Sequence, residues 1–155
     1  MQQTKGFSSS YSGFTRKADK PSASPTAKSI DLNISSYFYN VHYDYDVSTN
    51  SYKRSEGGQP HTDERSAMQL SPKVVIAIVV PKGIASDHIH STYEDIGTGK
   101  AYIFQDAIET DAIWAKTDRT AQIKFTDSNG TAIPINAGQT WISLVGLASD
   151  VSFKP

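Results

Sequence analysis

From Ser29 onward the apolar residues of this chain tend to recur at every second position, with no sustained period of three or four. That pattern suits strands whose side chains alternate between core and solvent, and it leaves no long amphipathic helix for an α/β sheet. Ile30, Leu32 and Ile34 alternate with Asp31 and Asn33. Tyr37, Tyr39, Val41, Tyr43, Tyr45 and Val47 then share one face, and Phe38, Asn40, His42, Asp44 and Asp46 share the other. A turn at Ser48-Thr49-Asn50 followed by 51–54 predicts a hairpin.

Residues 74–80 form one uninterrupted apolar run, rich in Val and Ile and stopped by Pro81. Without alternation it reads as a central strand covered on both faces. Further strands are expected at 88–94, 100–105, 112–116, 122–126, 131–135, 140–145 and 151–153. Asp127-Ser128-Asn129-Gly130 is a hairpin turn that sets Ile123 and Phe125 against Ile133 and Ile135. About eight to ten short strands of this kind predict a mostly β fold, an antiparallel-rich sandwich or partly open barrel. Trp114 and Trp141 are expected to anchor its core.

Residues 1–29 differ. Ser, Thr, Lys and Pro dominate, and such a composition buries too little apolar surface to offset the entropy of ordering. They read as a flexible tail or interdomain linker, with one β domain over 30–155. The whole chain has 155 residues, 15 Lys plus Arg against 16 Asp plus Glu, and no cysteine. Disulfides, thiol nucleophiles and cysteine-based metal sites are therefore excluded. Near-neutral charge argues against nucleic acid as a partner. No run approaches the roughly 18 apolar residues of a membrane-spanning helix, and no leader-like apolar stretch follows Met1.

Few residues point to chemistry. Gly97-Thr98-Gly99-Lys100 lacks the spacing and the following Ser or Thr of a phosphate loop, and reads as a β-turn. His88 and His90 would share one face of a strand, but a polar edge strand suits solvated imidazoles better than a metal. There is no Gly-x-Ser-x-Gly elbow, and Glu94-Asp95 would lie on opposite faces. No catalytic residue, metal or cofactor is assigned. The Tyr37, Tyr39, Tyr43, Tyr45 stripe reads either as the core side of a sheet or as an aromatic platform for sugar or peptide.

A series of segments in fixed order carries a family resemblance. Tyr45-Asp46, Tyr52-Lys53-Arg54, Gly58-Gln59-Pro60-His61-Thr62-Asp63 and Gln69-Leu70-Ser71-Pro72-Lys73 come first. Gly97-Thr98-Gly99-Lys100-Ala101 with Phe104, Trp114 with Lys116, and Phe125-Thr126-Asp127 follow, and Gly138-Gln139-Thr140-Trp141-Ile142 closes the series. The order resembles the C-terminal domain of the YerB-like bacterial lipoproteins, a family of unknown function, from about Ile30 to Phe153. Gln105-Asp106-Ala107 lacks the Gly common in that turn.

The resemblance implies an extracytoplasmic protein, membrane-anchored in its parent through a lipid, with a separate N-terminal domain. The lipid-attachment cysteine and that domain are not in this sequence, which implies an isolated C-terminal domain, soluble as this chain. Asp46, Arg54, His61 and Asp63, with Tyr43 and Tyr45, are the candidate binding residues. Arg54 is expected to pair with Asp46, and His61 to sit close to Asp63 or Arg54. Those groups form either a satisfied network that fixes a loop or a ligand surface. The function expected is a noncatalytic binding module of an envelope protein, meeting an envelope protein, an envelope polymer or the N-terminal domain of its parent. The alternatives are part of an enzyme site completed by that missing domain, or a domain that merely orients its neighbour.

Overall fold

The computed structural model describes residues 11–155, which form fourteen strands, two short 3-10 turns and no α-helix. The strands are β1 (Arg16–Lys17), β2 (Ser29–Leu32), β3 (Val41–Asp46), β4 (Ser51–Glu56), β5 (Gln59–Pro60), β6 (Val74–Val79) and β7 (Lys82–Ile84), then β8 (Ser91–Tyr93), β9 (Gly97–Gln105), β10 (Ile108–Lys116), β11 (Lys124–Thr126), β12 (Ile135–Asn136), β13 (Thr140–Val145) and β14 (Val151–Lys154). One five-stranded sheet has the order β14-β2-β3-β4-β5, the other β11-β10-β9-β6-β13. Every neighbour pair in them is antiparallel except β6 with β13.

The two sheets face each other. Ile30, Leu32, Val41, Tyr43 and Tyr52 of the first meet Val75, Ala77, Tyr102 and Phe104 of the second in one core. Neither sheet closes into a barrel, so the sandwich is the form taken. The outer face of the first sheet carries Asp31, His42, Asp44 and Lys53, which accounts for its alternation. The second sheet is covered on both sides. Val74, Ile76, Ile78 and Val80 point away from the sandwich into a second core with Ile103, Trp114, Phe125 and Ile135. The uninterrupted apolar run of β6 follows from that double burial.

Phe14 packs on Phe125 with ring centroids 5.7 Å apart, and β1 pairs in parallel with β12. Residues 1–10 lie outside the described part; from Ser12 on, the tail expected over 1–29 is anchored to the domain. Its fastening point is Asp106, at the tip of the β9–β10 hairpin. Asp106 and Ala107 both have positive φ, 57° and 61°, as a two-residue hairpin turn requires, with no Gly in either position. The Asp106 carboxylate accepts bonds from Lys17 Nζ, from Asn50 Nδ2 at 2.8 Å and from Asn136 Nδ2 at 2.7 Å. Ser22 N donates to Asp106 O, and Thr26 N and Ala27 N donate to Ala107 O. Ala27 is fully buried.

Several local expectations change. Tyr37–Tyr39 is a 3-10 turn, not the start of β3, because the chain must reverse between Leu32 and Val41, which stand opposite each other. The 97–100 segment opens strand β9 instead of making a turn. Only Ser91–Tyr93 of the 88–94 strand forms; His88 has φ of 59° and sits in a turn. The 131–135 strand reduces to a bridge at Ala132, and Ile135 pairs with Arg16 instead of facing Ile123.

Candidate functional site

Arg54 lies on β4 directly opposite Tyr43 and points into the sandwich, where it is 4% exposed. Its Nη1 donates to Glu56 Oε2 at 2.8 Å, and its guanidinium carbon lies 4.4 Å from the centre of the Trp141 ring. His61 Nδ1 is 3.2 Å from the same Glu56 oxygen, and its ring meets Trp141 edge-on at 5.8 Å. The Arg54 carbonyl accepts bonds from His61 N and Gln69 Nε2, which ties the 61–70 loop to β4. Arg54 and His61 are thus brought together, but through Glu56.

The expected pairs are corrected accordingly. Asp46 stands opposite Ser51, three registers from the Tyr43–Arg54 pair, and it bonds Lys53 at 2.9 Å and Ser48. The Ser48 hydroxyl and then Lys53 hold its carboxyl well below the usual range. Asp63 turns into its own loop and accepts from Ser66 N and Oγ, which lowers its pKa. Tyr43 is fully buried, and burial pushes its hydroxyl up to about 12. The Tyr45 hydroxyl donates to Asn50 at 2.7 Å. Tyr45 is partly buried, with its ring tilted against Tyr52 at 5.2 Å. Trp141 is only partly buried and roofs the cluster, whereas Trp114 is the full core anchor. The Arg54–Glu56–His61–Trp141 group is joined through one carboxylate and one indole and reads as a polar clamp.

The exposed aromatic surface lies elsewhere. In the turn between β2 and β3, Tyr37, Phe38 and Tyr39 are 66%, 74% and 60% exposed. Two backbone bonds to Ser36 O close the turn, from Tyr39 N at 2.9 Å and Asn40 N at 3.1 Å. Tyr37 meets Phe38 edge-on at 5.7 Å. Beside it is a recess of about 310 Å³ whose lining includes Asp31, Asn33, Asn40, His42 and Gly58. His42 bridges two carboxylates, Asp31 at 2.7 Å and Asp44 at 3.1 Å. Burial opposes its charge, but the two hydrogen bonds and the two negative charges outweigh that and raise its pKa. Sequence reasoning singled out Tyr37 and Tyr39 but placed them on a strand; the Ser35-Ser36 pair before them was the available turn signal.

Two other places are simpler. His90 bonds Asp87 at 2.6 Å on an exposed hairpin, while His88 lies in its turn. Among the described residues no group of three or more His, Asp or Glu is placed to hold a metal. A recess of about 680 Å³ between the Ser12–Thr15 segment and the 121–133 loops is lined by Phe14, Ile123, Phe125 and Ile133, with Lys124 its sole ionisable side chain among the described residues.

The fold has a counterpart of known structure. The fold is similar to the crystal structure of the YerB protein from Bacillus subtilis, with a TM-score of 0.75 and 17% sequence identity. The likeness covers 92% of this chain and 47% of that one, so this chain spans about half the length of YerB. No curated protein matches the chain. The family model described as the C-terminal domain of a protein of unknown function (DUF3048) matches residues 30–142, and the chain belongs to that family.

Proposed function

We propose that this domain is a noncatalytic binding module of a bacterial envelope protein, and that it engages its partner through the Tyr37–Phe38–Tyr39 turn. One observation carries the reading: three consecutive large aromatic side chains stand mostly in solvent on a hydrogen-bonded turn. Aromatic rings bury large areas on contact and cost little side-chain entropy, so such a patch serves recognition better than stability. Asp46, Arg54, His61 and Asp63 are engaged within β3, β4 and their loops, which supports the aromatic turn as the contact surface. The resemblance to lipoproteins supports an envelope setting, and the length of YerB supports a second domain in the parent protein.

Sedimentation with isolated bacterial envelopes tests the reading. The chain is expected to pellet with the envelopes, and a Tyr37→Ala, Phe38→Ala, Tyr39→Ala variant with unchanged circular dichroism is expected to stay in solution. Equal pelleting of both, or of neither, would overturn it.

A further inference from the structure

We infer that the recess beside Tyr37 takes an uncharged oligosaccharide; this rests on the binding reading above and names its ligand class. A sugar ring presents apolar C–H faces and a rim of hydroxyls that each donate and accept. A site for it needs a flat apolar surface next to fixed donors and acceptors. Tyr37 supplies the surface. A Cβ on Gly58 would lie 2.4 Å from its hydroxyl, so the tip of the ring rests against the Gly58 backbone while the side chain remains 66% exposed. Phe38 stands edge-on beside it as a wall.

The rim groups are held by bonds that leave part of each free. Asp31 uses Oδ1 for His42, and Oδ2 makes no hydrogen bond among the described residues. Asn40 uses its carbonyl for Ser35 N, which leaves its NH2 group. Asn33 uses its NH2 group for Asp150, which leaves its carbonyl. Two acceptors and one donor therefore belong to residues that line the same recess as Tyr37. Charge narrows the class. His42 lies between Asp31 and Asp44, and among the described residues no Lys or Arg lines the recess, so a phosphate-bearing polymer would be repelled. About 310 Å³ is at the low end of ligand recesses and suits one or two sugar rings of a longer chain.

The test is an amide NMR titration of the full chain with chitotetraose, with cellotetraose and with an anionic poly(glycerol phosphate). Saturable shifts at residues 31–42 and Gly57–Gly58 are expected with at least one of the uncharged tetrasaccharides and not with the anionic polymer. Tyr37→Ala is expected to weaken binding about tenfold, the loss of roughly 1.4 kcal/mol of ring contact, while Tyr37→Phe keeps it. Absence of shifts with both tetrasaccharides would overturn the inference. So would shifts confined to the 680 Å³ recess, equal affinity of Tyr37→Ala, or binding of the anionic polymer at this turn. If envelopes still pellet the chain through the aromatic turn while both tetrasaccharides fail, the glycan falls and the binding module stands.

Discussion

Gly99 on β9 stands directly opposite Trp114 on β10, and the indole occupies the space that a side chain at 99 would need. A Cβ there would lie 2.8 Å from Trp114 Nε1 and 3.0 Å from Val79 O, the two atoms that share a 2.9 Å hydrogen bond. The glycine of the Gly-Thr-Gly-Lys segment thus serves packing. Gly99→Ala is expected to cost about 2–3 kcal/mol, from overpacking together with a disturbed buried bond. Trp114→Ala is expected to cost about 3–5 kcal/mol. Urea unfolding monitored by circular dichroism checks both, and a Gly99→Ala variant as stable as the parent would show that the strand can shift to make room.

Asp106 fastens the N-terminal segment, and its removal should loosen that segment before the sandwich. Burial would raise its pKa, but the bonds from Lys17, Asn50 and Asn136 outweigh burial and lower it. Asp106→Ala leaves the Asn50 and Asn136 amides without their acceptor, leaves Lys17 only its bond to Asn136 Oδ1 and puts Ala at positive φ, for an expected loss of about 2–4 kcal/mol. Amide exchange at Lys17, Ser22 and Ala27 is expected to be slow in the parent and markedly faster in the variant. Fast exchange at those positions in the parent would show that the docking is not maintained in solution.

The sandwich was legible because burial leaves a rhythm in sequence. One covered face makes β3 alternate, two covered faces make β6 continuous, and Asp127–Gly130 marks a turn by its own chemistry. Chain reversal leaves no such rhythm, so the period-two run through Tyr37 and Tyr39 continues across a loop. The pairing of Arg16–Lys17 with Ile135–Asn136 was not legible either. Its residues are mostly polar, and what holds them is a carboxylate about ninety positions away. In the site, Arg54 and His61 were both readable as candidates, with Arg54 one of two neighbours expected for His61 and Asp46 the partner expected for Arg54. Glu56, which joins them, was readable in principle, since it follows Arg54 by two positions and therefore shares its strand face.

The Arg54 clamp gives a discriminating set of variants. If the cluster is structural, Glu56→Ala should cost about 2 kcal/mol by leaving Arg54 buried against Trp141 without its carboxylate. Arg54→Met, which keeps the packing and removes the charge, should cost less than Glu56→Ala. His61→Ala should cost about 1 kcal/mol, since the ring is partly exposed and its contact with Glu56 is long. Chemical unfolding of the three variants checks the order. An Arg54→Met variant less stable than Glu56→Ala would show that the guanidinium contributes more than packing.

The remaining prediction concerns pH and the His42 bridge. The ordinary imidazole value is 6.5, and the folded value is raised by Asp31 and Asp44 against the opposing effect of burial. A raised folded pKa means that the folded state binds the proton more tightly than the unfolded chain. The stabilisation is therefore fully present below the unfolded value, provided both carboxylates remain ionised. It is lost as the pH rises through the folded value. His42 is partly exposed, so the effect is small and screened by salt. The melting temperature of the parent should exceed that of His42→Gln most clearly near about pH 5.5, and the gap should narrow by about pH 8. Imidazole carbon shifts should place the His42 titration above the ordinary value. A gap that widens with rising pH would mean that neutral His42 is the form the fold prefers.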